Sequence, residues 1–234
     1  MHLHMSPRNN QEKNYKFKDT DLIPNLNHYT RIYDGFLDDD TCDEYIRCFE
    51  ETLTQDAEEV KKTSICTGPI RPDGHQICGA CNCQRLNPMG FDRFEELNKN
   101  ALNKFVSILD RYKQDTEMND KQWPKNFGWE EFRMKRFLVG NDEQFKDHVD
   151  VLSHDQAKRF LILMVYLNDD FDGGETVFPQ LGDSIKPKKG RLLIFPPTWN
   201  YLHRGNPPLA PGYAKYFLMT YLNYGNINDF FRED

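Results

Sequence analysis

The sequence predicts an α+β fold in one domain, with helices first and an antiparallel β core after them. Three observations carry this reading. Apolar residues recur at helical spacing in two stretches before residue 116. From Trp129 onward that period gives way to short apolar and aromatic runs broken by turn residues. No linker or internal repeat divides the 234 residues, a length that suits one large domain with a well-formed core.

Residues 1–27 are polar and aperiodic and are expected to form a flexible tail. Residues 28–228 are expected to form the domain, with helical support over 28–125 and a β core over 126–225. "HYTRIYDGFL" reads as a short strand. "LDDDTCDEYIRCFEETL" reads as a helix whose acidic opening suits the positive end of the helix dipole. Its apolar stripe is Cys42, Tyr45, Ile46, Phe49 and Leu53. Residues 60–90 are irregular and hold four of the six cysteines. A second helix is expected from Asp92 to Asp115, because Phe94, Leu97, Ala101, Phe105, Ile108 and Tyr112 share one face. The strand runs that follow are "EEFRMKRFLVG", "FKDHVDV", "KRFLILMVYLND", "GETVFP", "GRLLIFPP" and "YAKYFLMTYLNYG".

Composition narrows the function. The net charge of −7 lacks the broad positive field of a nucleic-acid binder, so no nucleic-acid partner is expected. No apolar run reaches the length of about 18 residues that a membrane span needs. The first residues lack the apolar segment of a secretory signal, which points to a cytoplasmic location and reduced cysteines. The oligomeric state is not set by the sequence.

"KDHVDV" places His148 and Asp150 two apart. On a strand such residues face the same side, close enough to share one ion. An imidazole and a carboxylate make two-thirds of the 2-His-1-carboxylate set of non-haem Fe(II) oxygenases. His203, in "WNYLHRGNPP" after an apolar strand, is the candidate third ligand. His2, His4 and His28 lie in or near the tail, His75 in the irregular stretch, and His154 has no strand context. A plain His–Asp hydrogen bond is the alternative reading of the pair.

The surrounding text resembles a family. "RFLILMVYLNDDFDGGETVFP", "IKPKKGRLLIFPP" and "LHRGNPPLAPGYAKYFLMTYL" are similar to the core of the 2-oxoglutarate/Fe(II)-dependent oxygenases of the prolyl 4-hydroxylase type. The resemblance covers roughly residues 30–225, and its strong motifs lie between 145 and 222. It implies a double-stranded β-helix, a distorted jelly roll, backed by helices. It implies Fe(II) held by His148, Asp150 and His203, with 2-oxoglutarate as cosubstrate, O2 as oxidant and ascorbate as a further requirement. The implied reaction hydroxylates prolyl residues of a peptide or protein and releases succinate and CO2.

The resemblance also implies roles for other residues. Lys215, twelve residues after His203, would meet the far carboxylate of 2-oxoglutarate, with Thr176 of the GGET motif beside it. A lysine in mid-strand among Tyr, Phe and Leu is costly unless paired. Its alternative is an edge-strand lysine facing solvent, and that of Thr176 an ordinary strand residue. Arg159 is similar to an arginine that family members aim at the peptide, or else it caps its strand at the surface. Trp199 would wall the site or belong to the core. One departure stands out: Phe137 occupies the place where family members often carry a tyrosine that hydrogen-bonds 2-oxoglutarate. Tyr166 or another hydroxyl is then needed instead.

"ICGACNC" holds Cys78, Cys81 and Cys83, with Cys66 upstream. The C-x-x-C spacing fits zinc, but a second paired knuckle is missing. A disulfide and free thiols in a loop near the substrate entrance stay open. The wider alternatives are the same chemistry on another residue or a small molecule, and a non-catalytic ligand-binding barrel.

Overall fold

A computed structural model describes residues 26–57, 59–60 and 83–225. Cys66, Cys78, Cys81 and most of the expected tail lie outside the described residues; Cys83 is buried.

Both expected helices form. Helix α1 spans Asp39–Gln55, two residues later than the acidic run suggests, because Asp38 serves as its cap. The Asp38 carboxylate accepts the Thr41 N–H at 2.8 Å, satisfying one of the orphan donors of the first turn. Its buried face is Cys42, Tyr45, Cys48, Phe49 and Thr52, so the stripe is as read, with Ile46 and Leu53 at its margin. Helix α2 spans Glu95–Asp115 and is entered through a single 3-10 turn at Asp92–Phe94. It ends where Thr116 turns its hydroxyl back to the Tyr112 carbonyl and Glu117 takes a left-handed φ of 52°.

The strands in chain order are β1 (Arg31–Tyr33), β2 (Gln84–Leu86), β3 (Phe127–Trp129), β4 (Arg133–Leu138), β5 (Phe145–His148), β6 (Arg159–Tyr166), β7 (Asp172–Gly173), β8 (Thr176–Phe178), β9 (Asp183–Ile185), β10 (Leu192–Phe195), β11 (His203–Gly205), β12 (Pro208–Leu209) and β13 (Ala214–Tyr224). Seven of them form a sheet in the order β1-β10-β6-β13-β4-β2, with β3 also paired to β13. Four form a second sheet, β5-β11-β8-β9, and β12 pairs with β7. Each of these pairings is antiparallel.

The large sheet explains why its central strands read as unbroken apolar runs. Alternate residues bury on opposite faces. Leu161, Leu163 and Val165 of β6, with Leu192, Ile194, Tyr216 and Leu218, join the helices in one core. Phe105 of α2 is central there and meets Phe36, Trp129 and Phe132. The intervening residues Ile162, Met164, Tyr166, Leu193, Phe195, Phe217 and Met219 form a second core on the other face. Each fully buried Phe or Leu contributes about 1.5–3 kcal/mol through removal from water. Both faces are covered, so the central strands carry apolar residues on each. No helix among the described residues is long and apolar enough to cross a membrane.

Candidate active site

A cavity opens on the second core, lined by β4, β6 and β13 of the large sheet and by β5, β8 and β11 of the small one. His148, Asp150, His203, Thr176 and Lys215 all line it. Five residues from four separate stretches of chain thus meet in one place.

Antiparallel pairing of β5 with β11 sets His148 directly opposite His203, and their rings lie 4.2 Å apart. The expected same-face geometry for Asp150 needs one correction. Strand β5 ends at His148, and Asp150 sits in the bend beyond it. What places the carboxylate is a backbone hydrogen bond from Asp150 N–H to the Pro197 carbonyl at 3.2 Å.

One ligand atom from each of His148, Asp150 and His203 lies within 4.8 Å of the others. The Nδ1 of His148 faces the Lys146 carbonyl at 2.7 Å, and that of His203 faces the Tyr201 carbonyl at 2.9 Å. A carbonyl only accepts, so each Nδ1 carries the proton and each Nε2 presents a lone pair. Those Nε2 atoms stand 3.7 and 3.5 Å from the Asp150 oxygens, too far for good hydrogen bonds. The Asp150 Oδ2 is buried with no hydrogen-bond partner. An unpaired anionic oxygen beside the His203 lone pair, with the His148 lone pair at the other oxygen of the same carboxylate, is what a divalent cation would satisfy, and the donor set suits Fe(II).

Protonation agrees with a metal-ready state. Burial, then the neighbouring His203, pushes the His148 imidazole down to about 4, so it is neutral at pH 7. Burial alone would raise the Asp150 carboxyl, but His203, His148 and the Tyr221 hydroxyl outweigh it and hold it below its ordinary value.

At the other end of the cavity, Lys215 is 3% exposed and donates to the Gly174 carbonyl at 2.6 Å. It does not face solvent. Burial, joined by the charge of Lys135, pushes its ammonium down to about 7. The GGET turn is built for this approach. Gly174 has a φ of +70°, and a Cβ there would lie 2.6 Å from the Phe171 ring and 3.2 Å from Lys215 Cδ. The hydroxyls of Thr176 and Tyr166 meet at 2.6 Å. Tyr166 is fully buried behind Thr176 and does not itself line the cavity.

Two expected site residues are placed elsewhere. Trp199 is 82% exposed, and the aromatic walls are Phe137, Phe145, Phe195 and Phe217. Arg159 grips Glu130 at 2.6 and 2.9 Å and donates to the Asp150 carbonyl at 3.1 Å, which engages all three of its nitrogens. That is a supporting place behind Asp150 rather than a surface cap.

Sequence reasoning missed Tyr221, which donates to Asp150 Oδ1 at 2.8 Å, and Lys135, which lines the cavity. Both had a signal. Tyr221 is in phase with Lys215 along β13, and Lys135 is in phase with Phe137 along β4.

Residues 132–223, which carry most of these side chains, match the model of the 2OG-Fe(II) oxygenase superfamily. The Acanthamoeba polyphaga mimivirus protein named "Putative prolyl 4-hydroxylase" is 40% identical over 51 residues. That alignment spans 22% of this chain and about a fifth of the relative, 21%. Among solved structures, the viral collagen prolyl hydroxylase of Paramecium bursaria Chlorella virus-1, a 2OG complex, superposes with a TM-score of 0.56 at 21% identity, covering 85% of this chain and 97% of that one. The Trichoplax adhaerens prolyl hydroxylase, in complex with a hypoxia inducible factor oxygen degradation domain peptide fragment, gives 0.56 at 16% identity over 84% of each chain. The Pseudomonas putida prolyl-4-hydroxylase gives 0.51 at 18%, covering 85% of this chain and 94% of that one. These structural likenesses bear on the fold.

Proposed function

We propose that this chain is an Fe(II)- and 2-oxoglutarate-dependent dioxygenase that hydroxylates prolyl residues of a peptide or protein, releasing succinate and CO2. The observation that carries the proposal is the convergence of His148, Asp150 and His203 around a buried, unpartnered carboxylate oxygen. The family match and the prolyl hydroxylase names of the relatives support the reaction and its acceptor. We read the two main sheets as the double-stranded β-helix of this family, and residues 28–228 as one domain.

Bound together, iron, 2-oxoglutarate and O2 supply the oxidising power that inserts oxygen into a C–H bond. The chain's own residues do the rest. His148 Nε2, an Asp150 oxygen and His203 Nε2 hold the ion. The Lys146 and Tyr201 carbonyls fix the imidazole orientations. The Lys215 ammonium takes the far carboxylate of 2-oxoglutarate, with the Thr176 hydroxyl beside it and Tyr166 orienting that hydroxyl. The phenyl walls keep water from the reacting centre. Trp199, exposed ahead of His203, is offered to the peptide. Ascorbate dependence goes with this reading.

The test is an anaerobic titration of the full chain with Fe(II) and 2-oxoglutarate, following the visible charge-transfer absorption. The expected band saturates at one iron per chain and is absent in His148→Ala. Succinate release in air then rises with prolyl peptides and not with their alanine counterparts. Wild-type protein with no band would overturn the reading in favour of a non-catalytic barrel.

A further inference from the structure

The cavity contains a second buried cation that the roles above leave unused. Lys135 sits on β4, 5% exposed, with its ammonium 4.3 Å from the centre of the Phe145 ring and 5.8 Å from that of Phe217. Among the described residues it makes ring contacts and has no hydrogen-bond acceptor or ion-pair partner. Ring faces attract a cation, but they compensate poorly for lost hydration. Lys215, by contrast, has the Gly174 carbonyl. A lysine enclosed in this way needs an anion, and the space its ammonium faces is the cavity.

Register says where along the cavity that anion must be. Lys215 lies opposite Phe137, and Lys135 lies opposite Phe217, two residues further along β13. The next residues in that direction on the same face are Met219 and Tyr221, and Tyr221 holds Asp150. Lys135 is therefore displaced from Lys215 toward the metal corner. The Phe145 ring beneath it stacks on His148 at 3.8 Å, which puts the ammonium beside the same corner. The residue on its own face, Phe137, brings no donor.

On the dioxygenase reading above, we propose that Lys135 binds the carboxylate next to the keto group of 2-oxoglutarate, so that the two lysines grip opposite ends of the cosubstrate. The site then contains two ammonium groups for the two carboxylates of its ligand. One pair closes at the deep end, the other at the metal. Lys135 makes a direct, charged contact there, stronger than a neutral hydroxyl would.

The test compares 2-oxoglutarate with 2-oxopentanoate, the same keto acid without the distal carboxylate. The proteins are the full chain and its Lys135→Met, Lys135→Arg and Lys215→Met variants, loaded with Fe(II) under anaerobic conditions. Dissociation constants come from the charge-transfer band and from the ligand-induced rise in melting temperature. Lys135→Met is expected to weaken both keto acids by the same factor, about 10- to 100-fold. Lys215→Met is expected to weaken 2-oxoglutarate alone. Lys135→Arg should retain most of the affinity. Without ligand, Lys135→Met should melt no lower than wild type, because an unpaired buried charge has been removed. Lys135→Gln serves as a second variant and should show the same equal loss for both acids.

Equal binding of both acids by wild type and Lys135→Met would overturn the inference and leave the dioxygenase reading intact. So would a Lys135→Met loss confined to 2-oxoglutarate, which would put Lys135 at the distal carboxylate. Wild type with no band for either acid would overturn the dioxygenase reading, and this inference with it.

Discussion

The Tyr221 hydroxyl donates to Asp150 Oδ1 at 2.8 Å, across 71 residues of chain. Burial and the Asp150 charge keep that phenol protonated, so it is a donor at every working pH. It occupies Oδ1, the oxygen nearer His148 Nε2, and leaves Oδ2 facing the His203 imidazole without a hydrogen bond. Tyr221→Phe should therefore weaken Fe(II) binding about 10- to 100-fold, the usual cost of losing a hydrogen bond that orients a ligand. An anaerobic metal titration against a competing chelator reads it directly. Unchanged affinity would show that the Pro197 contact to the Asp150 backbone is sufficient alone.

On the dioxygenase reading, Lys215 gives binding of the cosubstrate a pH dependence. Its ammonium is pushed down from 10.5 to about 7, so the ligand-free site is largely neutral above that pH. A carboxylate needs the charged form. Binding of 2-oxoglutarate at pH 8 should then take up a proton, and at pH 6 it should not. Calorimetry in two buffers of different ionisation enthalpy measures that uptake. The sign for folding is opposite. Between pH 7 and the ordinary lysine value the unfolded chain binds more protons, so this group makes the ligand-free protein more stable as pH rises. The slope approaches about 1.4 kcal/mol per pH unit. Lys215→Met should abolish both effects.

Gly174 tests how tightly that lysine is placed. With φ at +70°, an alanine is strained, and its Cβ would press on the Phe171 ring and on Lys215 Cδ. Gly174→Ala should weaken 2-oxoglutarate about tenfold or more while leaving Fe(II) affinity within about twofold. Equal losses for metal and cosubstrate would mean that the turn supports the whole site.

The helices and the long strands were legible because their periods survive in the text. Phe94 in the entering turn and Ala101, Phe105 and Tyr112 within α2 mark its face at one glance, and each is buried. The short strands β2, β3, β7, β9 and β12 were not legible: each has only two or three residues, too few to show alternation. His148 and His203 could be paired by chemistry. The position of Asp150 could not, because a contact to Pro197, 47 residues away, sets it outside the strand. The place of Arg159 behind Asp150 was hidden for a similar reason. Its partner Glu130 is 29 residues upstream, and nothing in either local stretch announces the other.

That pair supports the last prediction. Glu130 accepts from Arg159 at 2.6 and 2.9 Å and from Arg133 at 2.7 Å, all three side chains being 15% exposed or less. Both guanidiniums also lie over the Tyr221 ring, at 4.1 and 5.1 Å, so the cluster backs the residue that holds Asp150. Burial would raise the Glu130 carboxyl, but the two arginines outweigh it and hold it below its ordinary value. Its stabilising charge is therefore present above the ordinary carboxylate pKa and is lost as pH falls through the lowered one. Glu130→Gln leaves two buried guanidiniums without a counter-charge and should cost about 2–4 kcal/mol in denaturant unfolding of the metal-free protein. The loss should shrink toward acid pH, where wild-type Glu130 is itself protonated. Adding Arg159→Met to Glu130→Gln should recover part of it, since one unpaired charge is then removed. A loss below about 0.5 kcal/mol, the scale of an ordinary surface change, would mean that water reaches the cluster and that the support behind Asp150 rests on Tyr221 packing instead.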